Sequence, residues 1–272
     1  MIKLVASDLD GTLLQNGAQI LSDELFPLIR RLREAGILFI AASGRQYANM
    51  KRLFAPVLDD MAFISENGGL VLEKEEILYQ DAFDPALVMD IVQTIYDYDN
   101  AEFSCSTKDF YYVRPKTQEY LSLMQDYYKC ECKVIDSFDE ITLPCMKLAV
   151  YEPDGISEKM VHHWAEKFSD RCTVVTSGAA WVDFIPFGTN KAKGLRKFQE
   201  IYHISPEECM VFGDEYNDLA MLEAVPYSFA MVHAKPGVKK TAHYQAARVE
   251  PVLERLLHAE GRIEDVLREI TG

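Results

Sequence analysis

The chain has 272 residues, enough for about two domains and a sizeable buried core. Hydrophobic residues make up 49% and charged residues 26%, proportions that exclude a disordered chain or a fibrous repeat. Lys and Arg number 28 against 43 Asp and Glu, and the resulting formal charge of -15 has the wrong sign for a generic binder of nucleic-acid backbone.

No apolar run reaches the roughly 18 to 20 residues of a membrane span. The opening MIKLVASDLDGTLL does not read as a signal peptide, because its short apolar stretch meets two aspartates at once. The expected compartment is the cytoplasm, and nothing calls for an obligatory protein partner. Cys105, Cys130, Cys132, Cys145, Cys172 and Cys209 show no paired CxxC spacing and read as reduced thiols.

Ile2 to Ser7 predicts a buried strand. Ser22 fits a helix N-cap with Asp23 and Glu24 in the first turn, and Leu25, Leu28, Ile29 and Leu32 supply the apolar stripe. Gly36 stands where a C-terminal cap belongs. Ile37 to Ala42 and Ala62 to Ser65 predict further strands, with a helix over 46–54 between them. The run 68–80 predicts a hairpin that turns at Glu73-Lys74-Glu75-Glu76. Strand, helix, strand, helix, strand is the pattern of an α/β fold with a parallel sheet.

The pattern changes near Asp84-Pro85, an N-cap followed by Pro at the first helical position. Strands are predicted over 103–106, 110–113, 146–151, 172–176 and 181–185, and helices over 116–129 and 157–168. The tyrosines at 96, 98, 111, 112, 120, 127 and 128 read as amphipathic packing rather than a pocket lining. The first pattern returns after Pro186, with helices over 190–202, 217–224 and 251–258 and strands over 210–213 and 228–231. The predicted organisation is a core of residues 1–83 and 187–272, interrupted by an inserted domain of residues 84–186.

Four stretches at predicted strand ends could do chemistry, the position where ligands bind in open α/β sheets. In Asp8-Leu9-Asp10-Gly11-Thr12 the two carboxylates can face one site, and their repulsion calls for a cation or a shared proton. With Mg2+ bound, one can be a nucleophile and the other a general acid/base. Ser43-Gly44, ahead of a helix, offers a hydroxyl and an amide to a phosphate. Lys191, taken alone, reads as a solvated surface side chain, but at a helix start it opposes the dipole unless an anion sits there. Gly213-Asp214-Glu215-Tyr216-Asn217-Asp218 could supply oxygen ligands for Mg2+ from Asp214 or Asp218.

Together, these stretches resemble the haloacid dehalogenase superfamily of phosphohydrolases. Its DxDGT, its S/T-G, its Lys and its GDxxND match Asp8 to Thr12, Ser43-Gly44, Lys191 and Gly213 to Asp218. Phe212 to Met221 and Ile64 to Gly69 resemble the Cof-type subgroup, and the insert is similar to that subgroup's α+β cap of type C2B. The resemblance implies a Rossmann-like parallel-sheet core, Asp8 as nucleophile and Asp10 as acid/base. It implies Mg2+ held by Asp8, Asp10 through its backbone carbonyl, and Asp214, with Asp218 nearby. It also implies phosphoryl oxygens held by Ser43, Gly44, the Leu9 amide, Lys191 and Asn217. The expected substrate is a small phosphorylated metabolite, such as a sugar phosphate or pyridoxal phosphate. A phosphomutase and a non-catalytic phosphometabolite sensor remain open alternatives. Two places depart from the subgroup: His233 stands where an Asn is usual, and Arg248-Val249-Glu250-Pro251 replaces a Glu-Asp-Gly-Val stretch. Arg114 and Lys147 are candidates for a second anionic group of the substrate, although surface charge or ion pairing is the simpler expectation for both.

Overall fold

The computed structural model describes residues 1–177 and 179–271. Its first strands are β1 Leu4–Asp8, β2 Leu38–Ala42, β3 Met61–Ser65, β4 Leu70–Glu73 and β5 Glu76–Gln80. The middle of the chain holds β6 Glu102–Ser106, β7 Tyr111–Val113, β8 Cys132–Val134, β9 Lys147–Tyr151, β10 Thr173–Thr176 and β11 Trp181–Ile185. The last strands are β12 Cys209–Gly213, β13 Tyr227–Met231 and β14 Tyr244–Ala246. The helices are α1 Leu25–Glu34, α2 Tyr47–Leu53, α3 Pro85–Tyr96, α4 Gln118–Ser122, α5 Glu158–Phe168, α6 Lys191–Tyr202, α7 Leu219–Glu223, α8 Pro236–Thr241, α9 Glu250–His258 and α10 Ile263–Thr271.

The chain divides into two compact units. One comprises Met1–Arg45, Met50–Tyr79 and the residues from Asn190 on; the other comprises Gln46–Asn49 and Gln80–Thr189. The first unit is built on a sheet of order β14-β13-β12-β1-β2-β3-β4-β5. Pairing is parallel from β14 to β3 and antiparallel between β3 and β4. β1, β2, β3 and β12 are buried along their whole length, as expected of parallel strands covered on both faces. From β1 the chain moves one way across the sheet to β2 and β3, and from β12 the other way to β13 and β14. Right-handed crossovers then place α1 and α7 on opposite faces. β1 and β12 are therefore neighbours at a topological switch point, where a crevice opens beyond the strand ends. The β4–β5 hairpin turns at Lys74 and Glu75, both with positive φ, as a two-residue turn of this hand requires.

The second unit is a sheet of order β10-β11-β9-β6-β7-β8, antiparallel except between β7 and β8. Leu148, Val150, Val182, Phe184, Phe103 and Cys105 face one side and form an apolar core with residues of α3 and α5, including Ile91, Ile95, Trp164 and Phe168. Tyr112 joins this core, whereas Tyr111 and Tyr120 pack together in a smaller cluster, so these three tyrosines serve packing. Tyr127 is exposed. All six cysteines are free thiols. Among the described residues, no helix is long and apolar enough to cross a membrane.

Three readings of local structure need correction. The helix expected over 116–129 is α for only five residues and continues as a π-helical turn over Leu123–Tyr127. Ser22 is not the N-cap of α1; it closes the preceding turn by accepting from Leu25 N, and Glu24 takes the cap position without a side-chain bond. β8, β14, α8 and α10 have no counterpart in the sequence reading. The two strands have three residues each, too few for a period to show, but the Ile263, Val266, Leu267, Ile270 spacing of α10 was readable.

Helix α6 carries Lys191 as its first residue and packs against β3 at Gly194, where a Cβ would fall 2.6 Å from Ile64 Cγ2. Gly194→Val is expected to force that contact apart at a cost of about 1–3 kcal/mol. The expected outcome is a lower urea midpoint with an unchanged slope.

Candidate active site

β1, β12, β2 and β3 end side by side, and each hands the chain to a loop at the same edge of the sheet. β1 ends on Asp8, β2 is followed by Ser43, β12 by Asp214 and β3 by Glu66 and Asn67. The parallel register thus gathers residues more than two hundred positions apart in sequence, such as Asp8 and Asp214.

At the centre, Lys191 is fully buried and donates from Nζ to Asp8 Oδ1 at 2.5 Å and to Asp218 Oδ1 at 2.6 Å. The solvated lysine that its position alone suggested is therefore corrected. Asn190 caps α6 through Oδ1, which accepts from Lys193 N at 2.9 Å, and this fixes where the helix starts and where Lys191 begins. Asp218 is also fully buried. Its Oδ2 accepts from the Asp214 and Glu215 amides at 2.9 and 3.0 Å, so this carboxylate ties the loop after β12 to the lysine. Asp214 accepts from Thr12 Oγ1 at 2.7 Å.

Gly11 makes room for that arrangement. It has φ +89°, and a Cβ there would fall 2.1 Å from Asp214 Oδ2. The strand has ended at Asp8, so Asp10 does not share its burial. Asp10 is exposed, and Arg45 grips it as a fork, with Nε on Oδ2 at 2.8 Å and Nη2 on Oδ1 at 2.5 Å. Ser43 Oγ accepts from Arg45 N at 3.1 Å. Asn217 donates to Asn67 Oδ1 at 3.1 Å, and Gly44 has no side chain where a Cβ would lie 3.0 Å from that same Asn67 amide. Leu9 is fully buried, and its carbonyl accepts from Leu14 N at 2.7 Å. His233 lies 2.6 Å from the Gly11 carbonyl through Nε2; because a carbonyl only accepts, Nε2 carries the proton. The substitution for Asn at this place therefore still tethers the loop after β13 to the turn that follows Asp10.

Asp8, Asp214 and Asp218 form a cluster whose carboxylate oxygens lie within 4.8 Å of one another. The Asp10 carboxylate lies outside it. Burial pushes the Asp8 carboxyl well above its usual range; the Asp218 charge adds to this and Lys191 opposes it. Burial also raises Asp214. Burial alone would lower the Lys191 ammonium, but Asp218 and Asp8 outweigh it and hold the group above the ordinary lysine value. Three carboxylates share one ammonium, and Asp8 Oδ2 is buried with no hydrogen-bond partner. An excess of negative charge on clustered hard oxygen donors fits a hard divalent cation such as Mg2+.

Arg45, Thr12, Asn67 and His233 were not assigned roles from the sequence, although each stands inside or beside a stretch already singled out. The geometry that recruits them comes from loops of different strands. Arg248, in the other departing stretch, pairs with Glu24 at 2.8 Å and Glu250 at 3.3 Å.

Comparison with known proteins bears on this arrangement. The family model of the haloacid dehalogenase-like hydrolases matches residues 5–250. The chain is 28% identical over 245 residues to the 5-amino-6-(5-phospho-D-ribitylamino)uracil phosphatase YbjI of Escherichia coli K12, covering 90% of each chain. It is 26% identical to the HMP-PP phosphatase of Citrobacter koseri, covering 87% of this chain and 86% of that one. A solved structure from Eubacterium rectale superposes with a TM-score of 0.86 at 26% identity, covering 93% of this chain and 98% of that one.

Lys191→Met is expected to strand two buried carboxylates and to cost about 3–5 kcal/mol in urea unfolding. Asp8→Asn leaves Lys191 paired with Asp218 and removes a like-charge contact, so in metal-free buffer it is expected to be no less stable than the wild type.

Proposed function

Because the chain belongs to the haloacid dehalogenase-like hydrolases, we propose that it is a Mg2+-dependent phosphatase of small phosphorylated metabolites, working through an aspartyl-phosphate on Asp8. One observation carries this reading: Asp8 is buried at the end of the central strand, one oxygen held by Lys191 and the other without a partner. A carboxylate in that position is a held and aimed nucleophile.

In the first step Asp8 Oδ2 attacks phosphorus. The bond from phosphorus to the leaving oxygen breaks, and Asp10 delivers a proton to that oxygen. In the second step Asp10 takes a proton from water as the water oxygen attacks phosphorus. The Asp8–phosphorus bond breaks, and inorganic phosphate and the free carboxylate are regenerated. Each Asp10 oxygen accepts one bond from the Arg45 fork and keeps a second lone pair for the proton. The Ser43 hydroxyl, the Gly44 and Leu9 amides, Lys191 and Asn217 hold the phosphoryl oxygens, a task that rewards fixed donors aimed at developing charge. Mg2+, when bound, would be held by Asp8, the Asp10 carbonyl and Asp214 and would neutralise further phosphoryl charge. Residues 84–186 act as the cap that selects the leaving group.

Two relatives support the substrate class: one is named for a phosphoribitylamino-uracil and the other for HMP-PP. The test is phosphate release from p-nitrophenyl phosphate with Mg2+ and with EDTA. Wild-type release is expected to depend on the metal, and Asp8→Asn to lower it by at least about 1,000-fold. Undiminished turnover in that variant would rule out the nucleophile. Independently of activity, Mg2+ at about 100 times its dissociation constant is expected to stabilise the wild type by about 2.7 kcal/mol. The stabilisation should be lost in Asp214→Asn, and a thermal-shift titration reads both.

A further inference from the structure

Two places in the sequence depart from the subgroup pattern, and one of them is accounted for by surface ion pairs, those of Arg248 with Glu24 and Glu250. The other, His233, lies in a short segment that leaves β13 and is fastened at both ends. Val232 N donates to the Ala246 carbonyl of β14 at 3.0 Å, and Lys235 N donates to the Asp214 carbonyl at 3.1 Å. Between them Ala234 is buried, and its amide closes a turn on the Met231 carbonyl at 2.8 Å. From this fixed segment His233 reaches the Gly11 carbonyl, 2.6 Å from Nε2. The stretch 232–235 thus holds the loop after β12 at Asp214 and the turn after β1 at Gly11.

That turn needs an outside hold. Gly11 has φ +89° and carries no Cβ because Asp214 fills the space. The freedom that lets it adopt this conformation also makes its backbone easy to displace. Gly11 N donates to the Leu14 carbonyl at 3.0 Å, a bond within the same loop. Thr12 Oγ1 donates to Asp214 Oδ1 at 2.7 Å, and Asp214 belongs to the acidic cluster. Of these three contacts, the His233 bond is the one that ties the turn to another loop without engaging a clustered carboxylate. The Arg45 fork grips the Asp10 carboxylate itself, at the far end of the side chain from the backbone that carries it.

We propose that His233 is a positioning residue for Asp10. With the Lys235 amide it sets the spacing between the turn after β1 and the loop after β12, and so keeps the Asp10 carboxylate where it can deliver a proton to the leaving oxygen. This inference rests on the phosphatase reading above. His233 acts through the backbone and transfers no proton itself, because Nε2 keeps its hydrogen in the bond to Gly11. A positioned acid contributes about 100-fold or more to such a step, and small displacements forfeit part of it. Glutamine reproduces the hold best among the other side chains, since its amide nitrogen stands as many bonds from Cβ as Nε2 does and also donates.

The experiment compares kcat/KM for phenyl phosphate with kcat/KM for p-nitrophenyl phosphate, both with Mg2+, on the wild type, His233→Ala, His233→Leu and His233→Gln. The two esters are of similar shape, but p-nitrophenolate departs with little help whereas phenolate needs the proton that Asp10 supplies. The Ala and Leu variants are expected to lose about tenfold more on phenyl phosphate than on p-nitrophenyl phosphate. The Gln variant is expected to return the ratio of the two to within about twofold of the wild type. A merely structural role would lower both esters equally. That result, no loss on either ester, or a Gln variant as impaired as Ala overturns the proposal and leaves the phosphatase reading standing. A wild type that releases no phosphate from either ester or from acetyl phosphate sinks the parent reading and this proposal with it. His233 is exposed, so its truncation opens no core cavity, and the Leu variant keeps the test independent should the Ala variant fold poorly.

Discussion

The ammonium of Lys191 is the positive charge that pairs the buried carboxylates of Asp8 and Asp218 at the sheet edge, and the arrangement of the site follows from it. Each of its two short contacts comes from a different part of the chain. Asp8 ends the central strand and Asp218 closes the loop after β12. A buried ammonium is costly unless it is paired, and a buried carboxylate likewise. The strand end, the β12 loop and the start of α6 can therefore be brought into the interior only as a set. Burial, with the Asp218 charge adding to it, holds Asp8 above its usual range, and three clustered carboxylates beside one ammonium suit a divalent cation.

Glycines set how closely these pieces approach. Gly11 lies against Asp214, and Gly194 seats α6 on Ile64. Neither position could carry even a methyl group without moving a partner. Outside this centre, restraint is looser. Asp10 is exposed, and its carboxylate is held by the Arg45 fork.

Much of the first unit was legible. Short apolar runs over 2–7, 37–42, 62–65 and 210–213 marked its inner strands, because parallel strands buried on both faces keep few polar side chains to blur the signal. The apolar stripe Leu25, Leu28, Ile29, Leu32 marked α1, and all four residues are buried. The four motif stretches were visible because each breaks a local pattern: paired acids, a hydroxyl with Gly, a lysine at a helix start, and a run of acids with Asn. Less legible was the region after Lys116. There a helical period turns into a π-helical turn and a three-residue strand follows, and neither has length enough to impose a period.

The sequence by itself determined the types and order of the groups: two aspartates two residues apart, a Ser-Gly pair, a lysine at a helix start and an acidic loop. It also carried the α/β alternation, since side-chain period is a local property of the chain. Only the tertiary structure decided which groups share a proton or a charge. It buried Lys191 between Asp8 and Asp218, placed the Asp10 carboxylate in the Arg45 fork, and brought His233 to Gly11. Those outcomes depend on distances between residues far apart in sequence. Burial and Coulomb energy vary with that distance and with solvent access, and neither quantity is written in local composition.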